Sequence, residues 1–327
     1  MRKKTYHLLA SLLLMLIASL TSCEKFTFEN ADTTTHDADG NVTIHVEQVQ
    51  NMKIGSASRA ASKNGLNISR ATSEDYLGFS RASSEKDLKD ICTRISFVVF
   101  DVEEKLQSIN QTQDTYGFGT AHFNLDEGEY RLVVIAHSGT GNCTITSPEK
   151  IKFSGNKLTD TFYYYGRLSV TEDGAKADIH LTRPIAAFQL HITDDTLPED
   201  AKSIKFYYTG GSSTLDATTG YGCVNSRQTE SFSLSTDQKD FTVYTFPHDP
   251  EEGKTVKMNI SLLNPDAQAI RVFELPDVTM KRNTITKASI SIKDGSIKGE
   301  GEKEQEKEGG LGFTIDDEWL PDTIVYF

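Results

Sequence analysis

Cysteine is scarce: the 327 residues hold four, Cys23, Cys92, Cys143 and Cys223, with no C-x-x-C pair. That spacing argues against a zinc ribbon, a redox dithiol and a disulfide-dense scaffold. Basic charge is also short. The chain has 34 Lys and Arg against 47 Asp and Glu, a net charge of −13. The first 22 residues carry three of the basic residues and no acidic one, so the remainder stands at 31 against 47, or −16. Phosphate binding needs a basic surface, so nucleic acid is not an expected partner. H-E-x-x-H, G-x-S-x-G and G-x-x-x-x-G-K-[ST] are all absent, which removes the common zinc-hydrolase, serine-hydrolase and nucleotide-binding signatures. His137-Ser138 sets a base beside a hydroxyl, but consecutive strand residues point to opposite faces and are poorly placed for proton transfer. His36-Asp37-Ala38-Asp39-Gly40 resembles part of a Ca²⁺ loop without its downstream Glu, and reads as a polar turn. The expectation is a protein that is not an enzyme, with no cofactor and no metal site.

What is present starts with an export signal. Arg2, Lys3 and Lys4 precede a nearly unbroken apolar run from Leu8 to Leu20, too short for a folded bilayer span but suited to a signal-peptide core. The run ends in Leu20-Thr21-Ser22-Cys23, which resembles the lipobox of bacterial lipoproteins. Acylation at Cys23 would put several chains into the bilayer. At about 0.8 kcal/mol per buried CH₂ these make an effectively permanent anchor. Residues 1–22 are thus expected to be a signal peptide and Cys23 the lipidation site. With Cys23 acylated, the three other cysteines are an odd number, so at least one is unpaired within a monomer.

At roughly 100–200 residues per domain the chain has room for about two domains, and an apolar content of 37% suits thin β-domains with polar linkers. Residues 23–90 read as a tether of small polar tracts with one early strand around Val42-Thr43-Ile44-His45-Val46. Three arginines in it are followed by alanine, Arg59, Arg70 and Arg81, and are candidate sites for trypsin-like cleavage. From about Arg94 the pattern turns to β: Ile95–Phe100, Ala121–Leu125, Tyr130–His137, Thr161–Tyr165 and Ala177–Leu181 form a first series, closed at Arg183-Pro184. Ala186–Ile192, Ser203–Tyr208, Phe241–Phe246, Val256–Leu263, Ile270–Leu275 and Ile285–Ile292 form a second. No stretch has the caps and periodicity of an amphipathic helix. The fold class expected is all-β, with one sandwich over 91–184 and another over 185–298 plus 311–327.

Residues 299–310 are charged and glycine-flanked and form a solvated linker. The segment beyond it, with Phe313, Ile315, Trp319, Ile324, Val325, Tyr326 and Phe327, is strand-forming. It can pair within its own domain or add to an open sheet edge of another chain. Tyr163-Tyr164-Tyr165 and Tyr207-Tyr208 could offer stacking faces to sugars, so a surface glycan-binding lipoprotein is an alternative of a different class.

An ordered set of segments carries a family resemblance. Arg94-Ile95-Ser96-Phe97-Val98-Val99-Phe100-Asp101, Phe118-Gly119-Thr120 to Gly128-Glu129-Tyr130 and Leu132-Val133-Val134-Ile135-Ala136-His137-Ser138-Gly139 come first. Asp160-Thr161-Phe162-Tyr163-Tyr164, Leu181-Thr182-Arg183-Pro184-Ile185-Ala186-Ala187-Phe188, Arg282-Asn283-Thr284-Ile285-Thr286 and Gly312-Phe313-Thr314-Ile315-Asp316-Asp317-Glu318-Trp319 follow. From about residue 23 to the end, the chain resembles the fimbrillin-associated anchor lipoproteins of Bacteroidia-type (type V) fimbriae. The resemblance implies two tandem transthyretin-like β-sandwich domains, a lipid-anchored position at the outer membrane and cell surface, and fimbrial shaft subunits as partners. It also implies assembly by strand exchange. In that superfamily polymerising subunits lose an N-terminal segment to an Arg-specific protease, opening a groove for a neighbour's strand, whereas anchors keep their lipidated N-terminus. The anchor is the expected role, and a polymerising shaft or tip (adhesin) subunit is the alternative.

Overall fold

The structure, a computed structural model, describes residues 40–50, 88–102, 104–299, 314–316 and 324–326. Cys23, Arg59, Arg70, Arg81, Phe313, Trp319 and Phe327 lie outside them, as does the run Leu8 to Leu20 and the tract 36–39. The chain is all-β. Its first strands are β1 (Val42–Gln50), β2 (Arg94–Asp101), β3 (Glu104–Thr112), β4 (Thr120–Phe123), β5 (Gly128–His137), β6 (Thr144–Ser147), β7 (Lys150–Lys152), β8 (Thr161–Val170) and β9 (Ala175–Leu181). After Pro184 come β10 (Ala186–Ile192), β11 (Ser203–Gly211), β12 (Thr214–Asp216), β13 (Tyr221–Gly222), β14 (Ser226–Ser233) and β15 (Asp240–Thr245). The series ends with β16 (Val256–Leu263), β17 (Ala269–Val278), β18 (Ile285–Ser291), β19 (Ser296–Gly299), β20 (Thr314–Asp316) and β21 (Ile324–Tyr326). The helical turns of the described residues are three short 3₁₀ segments. Among the described residues no helix is long and apolar enough to cross a membrane.

The sheet β3-β2-β5-β8 packs across a core on the sheet built around β1, with β9 on one side of it and β4 and β21 on the other. In the second half the sheet β14-β11-β16-β17 faces β15-β10-β18, with β19 and β20 on the far edge of β18. Alternation explains the second half's strands. In β16, Val256, Met258, Ile260 and Leu262 are buried and the residues between them are not, as expected of a sheet with one wet face.

β2 breaks that pattern, since Ile95 to Phe100 are all buried, and so does β5 from Leu132 to His137. Both faces of these strands are covered. Ile95, Phe97 and Val99 point into the first core, while Val98 and Phe100 join Val133, Ile135, Phe153, Ile185, Leu215 and Phe246 in a third one. That third core draws on both halves. Main-chain pairing joins them as well, because β7 pairs with β12 at Thr214↔Lys152 and Leu215↔Ile151, completing the antiparallel sheet β13-β12-β7-β6. The two halves therefore share a sheet and a core.

The junction carries a buried ion pair. Arg183 has a fully buried side chain; its Nε and Nη2 donate to the two Asp160 oxygens at 2.7 and 3.0 Å, and its Nη1 donates to Asn283 Oδ1 at 3.0 Å. Its Cζ lies 4.6 Å from the centroid of the Phe162 ring. Asp160 and Phe162 belong to the first half and Asn283 to the second, so one guanidinium ties both to the linker residue between them.

Candidate strand-exchange site

The early strand expected inside the tether is in fact the middle strand of the sheet that faces β3-β2-β5-β8. β1 runs parallel to β9 from Val42↔Ala175 to Val49↔Leu181. On its other side, Val42 to His45 pair with β4, the Val46 N–H donates to Gly119 O at 2.9 Å, and Gln48 to Gln50 pair with β21. Val42, Ile44, Val46 and Val49 are each 0% exposed. The step from 46 to 49 is odd, and a strand period of two would send Val49 to the solvent face. A bulge corrects it. The register on β9 shifts between Val46 and Gln48, leaving Glu47 as the extra residue, so the inward phase is recovered. Glu47 then reaches His180 Nε2 on β9 at 2.8 Å.

The start of β1 is pinned separately. Asn41 Nδ2 donates to Leu125 O at 2.6 Å, and Leu125 N–H donates to Asn41 Oδ1 at 3.0 Å. Gly174, at φ +85°, closes the β8–β9 turn against Asn41, whose carbonyl would lie 2.0 Å from any added Cβ. Only glycine suits both the left-handed backbone and that approach.

The C-terminal segment is split. Ile315 lies in β20, opposite Thr286 of β18. Ile324, Val325 and Tyr326 form β21, opposite Gln50, Val49 and Gln48 of β1. The sequence assigns this whole segment to the second sandwich, but β21 is in the sheet of the first. The same device appears twice. β18 has a parallel neighbour, β10, along one edge, and the other is shared between β19 (Ala288 to Ser291) and β20 (Ile285 to Lys287). β1 likewise has parallel β9 on one edge and β4 plus β21 on the other. Each C-terminal strand occupies only the part of an edge that a local strand leaves open, through three residue pairs.

Other candidate groups resolve into structure. Tyr163 and Tyr165 pack against the third core, Tyr164 against the first, and Tyr208 is buried in the second. Of the five tyrosines considered for sugar stacking, only Tyr207, at 38%, is exposed, so they form no platform. His137 Nδ1 accepts from the Gly139 N–H at 2.9 Å, whereas Ser138 Oγ donates to Ile91 O at 3.4 Å. Base and hydroxyl thus have separate partners. Burial pulls the His137 pKa down to about 4, with Arg94 adding to the shift. Cys92, Cys143 and Cys223 are all free thiols, and burial raises the first two to about 12 and about 11, where a thiol is inert. Among the described residues no group of His, Cys, Asp and Glu is arranged to hold a metal ion.

Sequence reasoning found β1 as a strand but assigned it to a tether that could be cut at Arg59, Arg70 or Arg81 without touching the β-domains, and missed that it is an internal strand of the first sandwich. A cut at any of those arginines would separate β1 from β2 in the chain.

Comparison with known proteins adds a family. The profile described as fimbrillin-A associated anchor proteins Mfa1 and Mfa2 matches residues 66–320, well over half of the chain. No curated protein matches the sequence at a significant level. Among solved structures, one from Bacteroides ovatus, classed with cell adhesion proteins, aligns at 13% identity and a TM-score of 0.42 over 88% of this chain and 97% of that one. The fimbrial anchor protein Mfa2 from Porphyromonas gingivalis aligns at 10% identity and a TM-score of 0.32, over 72% and 91%. A fimbrial assembly protein from Parabacteroides distasonis gives 12% and 0.33, over 64% and 88%. On the family match over its sandwiches and the segment leading into them, this chain belongs to the fimbrillin-A associated anchor proteins.

Proposed function

We propose that this protein is a lipid-anchored fimbrial accessory subunit of the outer membrane that joins neighbouring fimbrial subunits by β-strand addition. Family membership supports a fimbrial accessory role at the cell envelope. The observation that carries the finer reading is the placement of β1. A lipid on Cys23 would connect to the folded body through a nine-residue strand enclosed on both edges and buried on one face. In the uncut chain, pull on the anchor meets β1 first and then the covalent link to β2. An anchor must bear load continuously, so this arrangement suits a chain left intact at Arg59, Arg70 and Arg81. Its joining element is the C-terminal segment. β20 and β21 each hold on by three residue pairs, so exchanging such a strand for a partner's costs few main-chain bonds.

The second reading, a shaft or tip subunit, rests on the same strand. Cleavage at one of the three arginines would make β1 a separate peptide. Its loss would leave a groove between β4 and β9 shaped for inward residues spaced two, two and three apart. Mass spectrometry of the N-terminus from native membranes separates the two. Acylated Cys23 is expected. A chain beginning at Ala60, Ala71 or Ala82 would overturn the anchor, and normal outer-membrane fractionation of Cys23→Ala would overturn lipidation.

A further inference from the structure

The sheet shared by the two halves carries a cationic recess of about 380 Å³, within the roughly 300–1,000 Å³ range of ligand sites. We propose that it binds an acidic saccharide, a sugar carrying a carboxylate or sulfate, independently of strand exchange. Its rim is formed by Lys150 and Lys152 of β7 and Arg227 of β14. Ile151 between the lysines is buried in the third core, so strand alternation puts both lysines on the outer face, roughly 7 Å apart along the strand. Three cations line one recess of a chain of net charge −13, and neither neighbouring carboxylate forms an ion pair with them. Continuing the β7–β12 register, Asp216 falls opposite Lys150, and its Oδ1 accepts from the Thr218 N–H at 2.8 Å and Oγ1 at 2.6 Å. Glu230 on β14 pairs with Lys157 at 2.7 Å. Among the described residues none of the three rim cations has an ion-pair partner.

The floor is polar and ordered. Ser213, 4% exposed, donates its N–H to Ser226 Oγ at 2.9 Å; its own hydroxyl lies 3.0 Å from Ser226 Oγ and donates to Asn156 Oδ1 at 3.3 Å. Hydroxyls and an amide beneath a cationic rim match a polyhydroxylated ligand with one oxyanion: cations take the acid group through charge-assisted bonds, and the floor takes sugar hydroxyls. A bare polyanion would use only the rim.

The test is calorimetric titration of the purified full-length chain with an oligogalacturonate, a sulfated heparin oligosaccharide, maltotetraose and tripolyphosphate. One or both acidic saccharides should bind, identifying the oxyanion, with maltotetraose at least about tenfold weaker. Lys150→Gln with Lys152→Gln, or Arg227→Gln, should each weaken binding by about tenfold or more, roughly one charge-assisted bond. These exposed substitutions should leave the melting temperature unchanged. Arg167→Gln, far along β8, should leave affinity intact. Ser226→Val should weaken saccharide but not tripolyphosphate binding. No saccharide binding, equal binding of maltotetraose, or equal loss with Arg167→Gln would each overturn the site. So would tripolyphosphate binding as tightly as the saccharides with Ser226→Val harmless, since the recess would then be a general anion trap.

Discussion

Removing residues 24–50 should cost the first sandwich most of its stability. Val42, Ile44, Val46 and Val49 are completely buried, and at about 1.5–3 kcal/mol each they contribute about 6–12 kcal/mol of apolar burial. That upper estimate is comparable with the roughly 5–15 kcal/mol that stabilises a whole domain. Main-chain pairing with β4, β9 and β21 is lost at the same time. A synthetic peptide of residues 42–50 added to the shortened chain should restore a cooperative melt. The Ile44→Asp peptide should bind at least about 100-fold more weakly, because about 3 kcal/mol is two decades in affinity. A peptide lacking Glu47 should still bind, since deleting the bulged residue restores strict alternation with Val49 on the buried face and removes only the contact to His180. If the shortened chain does not stay soluble, the intact protein gives the same information. After cleavage at Arg59, Arg70 or Arg81, the fragment holding β1 should co-purify with the body until denaturant is added. Melting of the shortened chain at the full-length temperature, or immediate loss of the fragment after cleavage, would show that β1 is not the structural strand argued here.

Three further outcomes follow from the geometry. Asp160→Asn should destabilise by about 3–5 kcal/mol because it leaves the buried Arg183 guanidinium, stacked on Phe162, without its anion, while Arg183→Met should cost less, since it removes the buried charge and Asp160 keeps access to water. Urea unfolding of both variants and the double mutant checks this, and additive effects would rule out the coupling. Stability should fall as pH drops from about 6.5 to about 4, because unfolded His137 takes a proton in that window and the buried ring does not. Below about 4 the loss is complete, on the order of 3 kcal/mol, and His137→Gln should flatten the profile measured by urea titration at each pH. Deleting residues 311–327 should lower the melting temperature by far less than deleting 24–50, yet prevent fimbrial subunits from being retained at the surface. Retention of fimbriae by the truncated protein in electron micrographs would make the segment dispensable.

Local pattern was enough to read much of this molecule. The eleven strands expected after Arg94 all exist, because strands facing a core must alternate or, when covered on both faces as in β2 and β5, run apolar without interruption. Two edge strands, β3 and β14, escaped that reading. β3 is exposed along nearly all of its length and β14 alternates only weakly. They are strands because β2 and β11 offer unpaired main chain, a cause that lies in the partner rather than in their own side chains. The placement of β1, too, is tertiary. Its composition marks a strand, but the parallel match to β9, more than a hundred residues away, is a long-range pairing that no local signal encodes. The division of the C-terminal segment between two sheets depends on which edges β4 and β19 leave open. Arg183 was visible only as the residue before a proline. That it is a buried cation follows from Asp160, Phe162 and Asn283 meeting it from both halves. The sequence by itself determined the β character and the family likeness, because composition and period are local properties. Which strand fills the groove, and which cations gather on the shared sheet, were decided only when distant segments met.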